Sequence, residues 1–146
     1  MSVLSSTLNP GTRKWAIDLG LLILRAGTAF LMLPHGWNKI QSFGEKAHGF
    51  YNFMHLGGEV SMAMVIFAEF FCSILLFIGL GTRLILIPLI FTMSMVVFVI
   101  NANQPMEDKE SGFLYLIPYV VLFFTGPGRI SLDHLLFRKK SAVIVK

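Results

Sequence analysis

From Leu84 to Ile100 the chain carries no charged side chain, and two other long apolar stretches, Trp15 to Trp37 and Val60 to Leu80, are interrupted by only three charges: Asp18, Arg25 and Glu69. A bilayer leaves a backbone no water to bond with, so a crossing segment must satisfy its own amides, and a helix of about 20 apolar residues does this. These three stretches therefore predict membrane-crossing helices. A fourth apolar run, from Gly112 to Thr125, closes at Gly126-Pro127-Gly128, a combination that stops a helix. It is short of the usual span, so it must borrow a turn from Glu110-Ser111 or cross a thinned or tilted region. The predicted fold is all-α: a four-helix transmembrane bundle with spans about 15–37, 60–80, 84–101 and 110–126, followed by a short interfacial C-terminal helix.

Length and composition agree with that reading. Of 146 residues, 55% are hydrophobic and 14% charged, against about a quarter charged in ordinary soluble domains. Four crossings with short loops use up the chain, which excludes a large soluble catalytic domain, a multi-domain receptor and a pump with its own nucleotide site. The single Cys72 excludes an intrachain disulfide, a four-Cys zinc site and a CxxC redox pair.

The net charge of +4 does not point to nucleic acid, because the basic residues sit at the ends of apolar segments. They set topology instead. Arg13, Lys14, Arg83, Arg129, Arg138, Lys139, Lys140 and Lys146 fall on one side, and Lys39, Lys46 and Lys109 on the other. Positive-inside counting therefore predicts an inner-membrane, multi-pass protein with both termini in the cytoplasm. Residues 1–14 read as a short polar cytoplasmic tail, lacking the apolar core and cleavage site of a signal peptide. Residues 15–128 form the membrane domain. Residues 129–146 form an amphipathic basic segment, in which Ser131 is a suitable N-cap and Leu132, Leu135 and Leu136 make an apolar stripe. The outer loop from about Asn38 to Glu59, rich in Gly, His and aromatic residues, is expected to form a short interfacial helix or a cap.

Two charges lie where the bilayer disfavours them. Arg25 and Glu69 each cost about 2.5 to 3.5 kcal/mol at the bilayer centre on insertion scales, and opposite charges at similar depth on antiparallel helices predict an Arg25–Glu69 pair. Steps of seven from Arg25 reach Met32 and Lys39 on nearly the same face, with His35 and Gly36 beside it. Cys72 and Ser73 follow one turn after Glu69, and Ser94 and Asn101 share a face of the third span. Pooled, Arg25, His35, Lys39, Glu69, Asn101 and Glu110 are the candidate ligand or quinone pocket, opening outward. The competing reading keeps the buried charges as an assembly device that fixes helix rotation, since buried pairs contribute little net stability.

Other chemistry is thinly represented. The sequence has no nucleotide-binding GxGxxG or GxxxxGK[ST] motif, no HExxH and no GxSxG. His48 and His55 lack a third ligand, so they read as solvated loop residues and no metal site is expected. Haem needs facing His pairs, and His35 is the only His within or bordering a span. Cys72 reads as a small core residue.

Laid out in this order, the residues resemble the DoxX family of small four-helix membrane proteins. The likeness rests on Leu24-Arg25 followed by His35-Gly36 and Lys39, on Glu69 followed by Gly81-Thr82-Arg83, and on Thr125-Gly-Pro-Gly-Arg129-Ile-Ser131-Leu-Asp133. Lys109-Glu110 leading into Leu114-Tyr115-Leu116 adds to it. It covers about Leu19 to Leu136. Many members carry a His near the outer end of the third helix, where this chain has Asn101, which does not carry protons near neutral pH. The family's descriptions come from subunits of a thiosulfate:quinone oxidoreductase and from partners in membrane oxidoreductase complexes. The resemblance thus implies a quinone-linked redox role, with no covalently bound cofactor and quinone held among the helices.

The residues are compatible with three functions. In the first, the chain is a subunit or quinone-binding partner of a membrane oxidoreductase system, with electrons supplied by a redox partner protein or a bound substrate. The alternatives are a non-catalytic membrane scaffold or assembly factor, and a small-molecule transporter, for which four spans are few without homo-oligomerisation. Whether the chain is itself an enzyme is not decided by its residues.

Overall fold

A computed structural model describes residues 13–141, with side chains described through Phe137. Most of the tail expected over residues 1–14, and the last part of the segment 129–146, lie outside the described residues. Four long helices build the bundle: α1 (Lys14–Gln41), α3 (Gly58–Ile78), α4 (Thr82–Ile100) and α5 (Met106–Thr125). A one-turn helix, α2 (Phe43–Lys46), lies in the loop after α1, and α6 (Leu132–Ser141) follows the bundle. Among the described residues there is no strand.

The helices α1, α3 and α4 are long and apolar enough to cross a membrane. The fourth starts earlier than its apolar residues suggest. Pro105 occupies the N-cap position, and Glu107 and Asp108 stand in the first turn, where carboxylates complement the helix dipole. The charged residues ahead of Gly112 are thus helical, and α5 reaches 20 residues.

Packing runs as a ring in which α1 contacts α3 and α5, and α4 contacts the same two helices. Gly36 lies against Phe70 while Arg25 lies against Gly79, so α1 and α3 are antiparallel. One end of the bundle, here the terminal end, collects the start of α1, the α3–α4 turn and α6. The loop end collects α2 and the residues up to Gly58. Ala29, Met32, Cys72, Leu76, Leu86, Leu89, Tyr119 and Leu122 fill the interior. Phe30, Leu84, Ile87, Phe98, Leu114, Ile117 and Phe124 face outward. That arrangement suits hydrocarbon and would be a large apolar patch in water.

Two segments of the bundle are wound wider than an α-helix: Phe67–Cys72 in α3 and Val96–Ile100 in α4. Such π-segments insert extra residues into the turn and concentrate at functional sites. The loop after α1 packs back on the bundle through Ala47, which is buried with Met62 and Ile66.

Candidate functional site

The six residues pooled from the sequence do not converge, and the expected Arg25–Glu69 pair is not formed. Arg25 belongs to the terminal end. Its Nη1 donates to the Pro127 carbonyl (3.2 Å) and its Nη2 to that of Ile130 (2.9 Å). The guanidinium passes the Gly79 Cα where a Cβ would collide with it, and Gly79 also ends α3 in the left-handed region at φ +72°. Its N–H bonds Leu75 and Leu76, and that of Leu80 bonds Leu75, the double closure of a Schellman cap. From Glu69 to Gly79 is ten residues, roughly 15 Å of helix, so Arg25 cannot reach the carboxylate.

The segment after α5 completes this clasp. Asp133 Oδ1 accepts from the Gly81 N–H (2.7 Å) and Oδ2 from the Thr82 N–H (2.8 Å), capping α4 with a carboxylate. The Asp133 N–H in turn bonds the Gly79 carbonyl (2.9 Å). Ser131 Oγ accepts from the His134 N–H (3.2 Å), so Ser131 is the N-cap of α6. On α1, Asp18 Oδ1 accepts from the Arg129 N–H (3.0 Å). Arg25, Gly81-Thr82 and the Gly126–Asp133 tail are separated in sequence but form one hydrogen-bonded structure. Beyond it, Leu135, Leu136 and Phe137 of α6 are exposed.

Glu69 finds a different partner. Lys39, one turn beyond Gly36 on α1, places Nζ 2.6 Å from Glu69 Oε2, and Glu69 is only 3% exposed. Gly36 makes this approach possible, since a Cβ there would stand 2.8 Å from both the Phe70 backbone nitrogen and its Cβ. A buried carboxylate with an ammonium partner is tolerable in a low-dielectric interior, whereas a lone one is not.

This pair is the polar part of a cavity of about 760 Å3 between α3 and α4, within the usual range for small-molecule sites. Among the described residues, Lys39 and Glu69 are its only charged lining residues. Its walls include Met64, Phe67, Pro88, Phe91, Met95 and Ile100, with Ser61 and Thr92 as further polar groups. Val60, Met64, Phe67, Phe91 and Ile100 also belong to the outward apolar face, so the cavity opens sideways toward the hydrocarbon. Both π-segments border it, through Phe67 and Glu69 on one side and Val96 and Ile100 on the other.

A loop roofs the cavity. Phe50, Tyr51 and Phe53 line it, and the Phe53 ring meets Phe91 edge to face at 5.4 Å. Ser61 holds the roof, accepting from the Phe53 N–H (3.0 Å) and donating to the Gly57 carbonyl (2.7 Å). Met54 and His55 both take left-handed backbone conformations (φ 48° and 62°), which are costly for residues with side chains. The roof is thus a strained turn held to α3 by the Ser61 hydroxyl and braced within itself by Asn52 Oδ1, which accepts from the Gly57 N–H (2.8 Å).

The remaining candidates lie outside the cavity lining. His35 is exposed and sets its ring edge-on to Tyr115 at 5.8 Å. Tyr115 donates to the Leu31 carbonyl (3.1 Å), just ahead of Pro34, whose ring disturbs the helical bonding of that turn. Asn101 Nδ2 donates to the Asp108 carbonyl (3.1 Å), bracing the α4–α5 connection, and Glu110 is exposed on the first turns of α5. His48 pairs with Glu59 at 3.1 Å on the exposed loop. Among the described residues no group of three or more His, Cys, Asp or Glu side chains gathers as a metal site. Cys72 is buried in the interior.

Gly36, Ser61, Phe53 and Asp133 carry the geometry of the two sites, yet none was a site candidate from the sequence. The nearest signals were Gly36 beside the Arg25–Lys39 face and Asp133 at the end of the tail motif.

Comparison with known proteins bears on both sites. Residues 20–102 match the family described as DoxX. The chain is also 28% identical over 127 residues to the Bacillus subtilis (strain 168) protein named "Putative oxidoreductase CatD", covering 86% of this chain and 92% of that one. No solved structure matches. The matched region includes Arg25, Lys39, Glu69 and the α3–α4 turn, and this multi-pass membrane protein belongs to the DoxX family.

Proposed function

We propose that the chain is an inner-membrane subunit or quinone-binding partner of an oxidoreductase system, and that the cavity between α3 and α4 is where the quinone binds. One observation carries this reading: a largely apolar, sideways-opening cavity whose charged lining groups, among the described residues, are an ammonium and a carboxylate held 2.6 Å apart. The donor set fits a quinone head. Lys39 Nζ can donate to a ring carbonyl, Glu69 can accept from a ring hydroxyl, and Phe53, Phe67 and Phe91 offer faces for the ring and an isoprenoid tail. A bound quinone supplies two-electron, two-proton chemistry. Lys39 and Glu69 orient the head and hold a proton at the carboxylate, while the Phe53 roof excludes water. Electrons arrive from a partner protein, and the relative's name as an oxidoreductase supports the redox side of this reading. The excess of basic residues at the terminal end supports placing it in the cytoplasm.

The test is binding of a short-tailed benzoquinone to the purified protein in lipid nanodiscs. Glu69→Gln and Lys39→Met should each weaken it at least about tenfold, the cost of one lost charge-assisted contact, with helical content unchanged. Equal affinity in folded variants would remove the cavity from the reading. A scaffold or assembly role draws on a separate observation, the Arg25 clasp, and predicts loss of a partner complex on clasp mutation with quinone affinity intact.

A further inference from the structure

Two hydroxyls near Glu69 are buried without a well-formed hydrogen bond. Ser73 and Tyr119 are each 0% exposed, and neither Ser73 Oγ nor Tyr119 OH has a partner of good hydrogen-bond geometry among the described residues, although the two hydroxyls lie close to one another. Such groups are rare in folded proteins and each one calls for an explanation. Ser73 follows Glu69 by four residues on α3, which places it on the same face one turn toward the terminal end. Tyr119, from α5, neighbours Ser73 and lies within electrostatic reach of Glu69. Tyr115, the other phenol near this carboxylate, is already committed to the Leu31 carbonyl. The carboxylate therefore has Lys39 on its cavity side, and the buried Ser73–Tyr119 pair stands one turn along the same helix face.

We propose that Ser73 and Tyr119 form a second hydrogen-bonding position for Glu69, which the carboxylate occupies when Lys39 is drawn away by a polar group in the cavity. Glu69 Oε2 accepts from Lys39 Nζ in the structure. When a ligand oxygen takes the ammonium, the carboxylate turns inward and accepts from the two hydroxyls, so it stays satisfied without its counter-charge. The π-segment from Phe67 to Cys72 carries Glu69 and ends just before Ser73. No covalent bond changes. Ser73 and Tyr119 are positioning residues, acting on a ligand only through Glu69. The proposal rests on Lys39 and Glu69 being the polar head of the cavity, but its test needs no quinone, so failure of quinone binding and failure of the switch are separable results.

The experiment is a pair of thermal-unfolding cycles in nanodiscs. In the native background Tyr119→Phe removes a poorly bonded hydroxyl from an apolar interior, and the Tm changes by no more than about 2 °C. In Lys39→Met the carboxylate has moved onto the hydroxyls, and Tyr119→Phe then lowers the Tm by about 3–6 °C, as does Ser73→Ala. The same effect of Tyr119→Phe in both backgrounds overturns the proposal. Should Lys39→Met not fold, Lys39→Gln replaces it in the cycle. Infrared spectra give the second readout: the carboxylate stretches assigned to Glu69 by difference against Glu69→Gln shift between native and Lys39-substituted protein. That shift disappears in Ser73→Ala/Tyr119→Phe, and its persistence there overturns the proposal as well.

Discussion

Arg25→Met separates the two ends of the bundle experimentally. The substitution keeps an unbranched apolar stem but removes the guanidinium that donates to the Pro127 and Ile130 carbonyls. Hydrogen bonds from charged groups contribute about 1.5–3 kcal/mol each, so their loss costs about 3–6 kcal/mol. Against this stands the desolvation of a guanidinium that is only 2% exposed, a penalty the methionine no longer carries. Asp133 is not orphaned, because Gly81 and Thr82 still donate to it. The net destabilisation is about 2–4 kcal/mol, a fall in Tm of about 4–16 °C for a chain of this size. Tryptophan fluorescence in nanodiscs follows the unfolding, and protease sensitivity at Gly126–Ile130 reports release of the tail. Below the transition, benzoquinone affinity should stay within about twofold, because Arg25 does not line the cavity. A folded Arg25→Met protein with unchanged Tm and lost quinone binding would refute this division of labour.

Three further outcomes follow from the geometry. Gly36→Ala must push α1 off α3 by about 0.5–1 Å to bring its Cβ to ordinary contact with Phe70, at a cost of about 1–3 kcal/mol; thermal unfolding measures it, with Gly20→Ala, which meets nothing within 4 Å, as the neutral control. Asp133→Ala strips both acceptors from the start of α4 and should cost about 2–4 kcal/mol, with hydrogen exchange accelerating first at Gly81 and Thr82. Replacing Leu135 and Leu136 of α6 by Ser removes exposed apolar surface beside a basic run, and a peptide of residues 129–146 so changed should lose its partitioning onto vesicles containing anionic lipid.

The helical membrane fold was legible in the sequence because its signal is local: an uncharged run the length of a bilayer has few alternatives. The start of α5 was less legible. Hydropathy weighs Glu107 and Asp108 as polar residues, whereas a helix N-terminus receives them favourably. Charge pairing was least legible, and the reason lies in depth. Centring Arg25 in its apolar run puts it level with Glu69, but α1 is 28 residues long, roughly 42 Å, well beyond a hydrocarbon core of about 30 Å. The Gly126–Asp133 tail folds back under α1 and meets Arg25 there, so its carbonyls replace the carboxylate as acceptors.

The two constellations answer opposite electrostatic problems, and this bears on which of them can change state. At the terminal end the charges of Arg25 and Asp133 are both spent on backbone groups: carbonyls for one, the amides of the α4 N-terminus for the other. Backbone dipoles held by helix ends and a Schellman turn cannot be withdrawn by a ligand, so the clasp holds a single arrangement. At the loop end each charge is met by another side chain. Lys39 sits at the end of a flexible stem and Glu69 on a widened turn, and both line a cavity that admits a third party. A polar ligand group that competes for either partner changes the balance there, and only there. The clasp fixes α1, α3 and α4 at one end, so movement that accompanies binding is confined to the loop end, where the Ser61 hydroxyl bonds the Phe53 N–H and ties the roof to α3. Ser61→Ala should therefore speed benzoquinone release more than it weakens the fold, and equal rates in the two proteins would show that the roof does not gate the cavity.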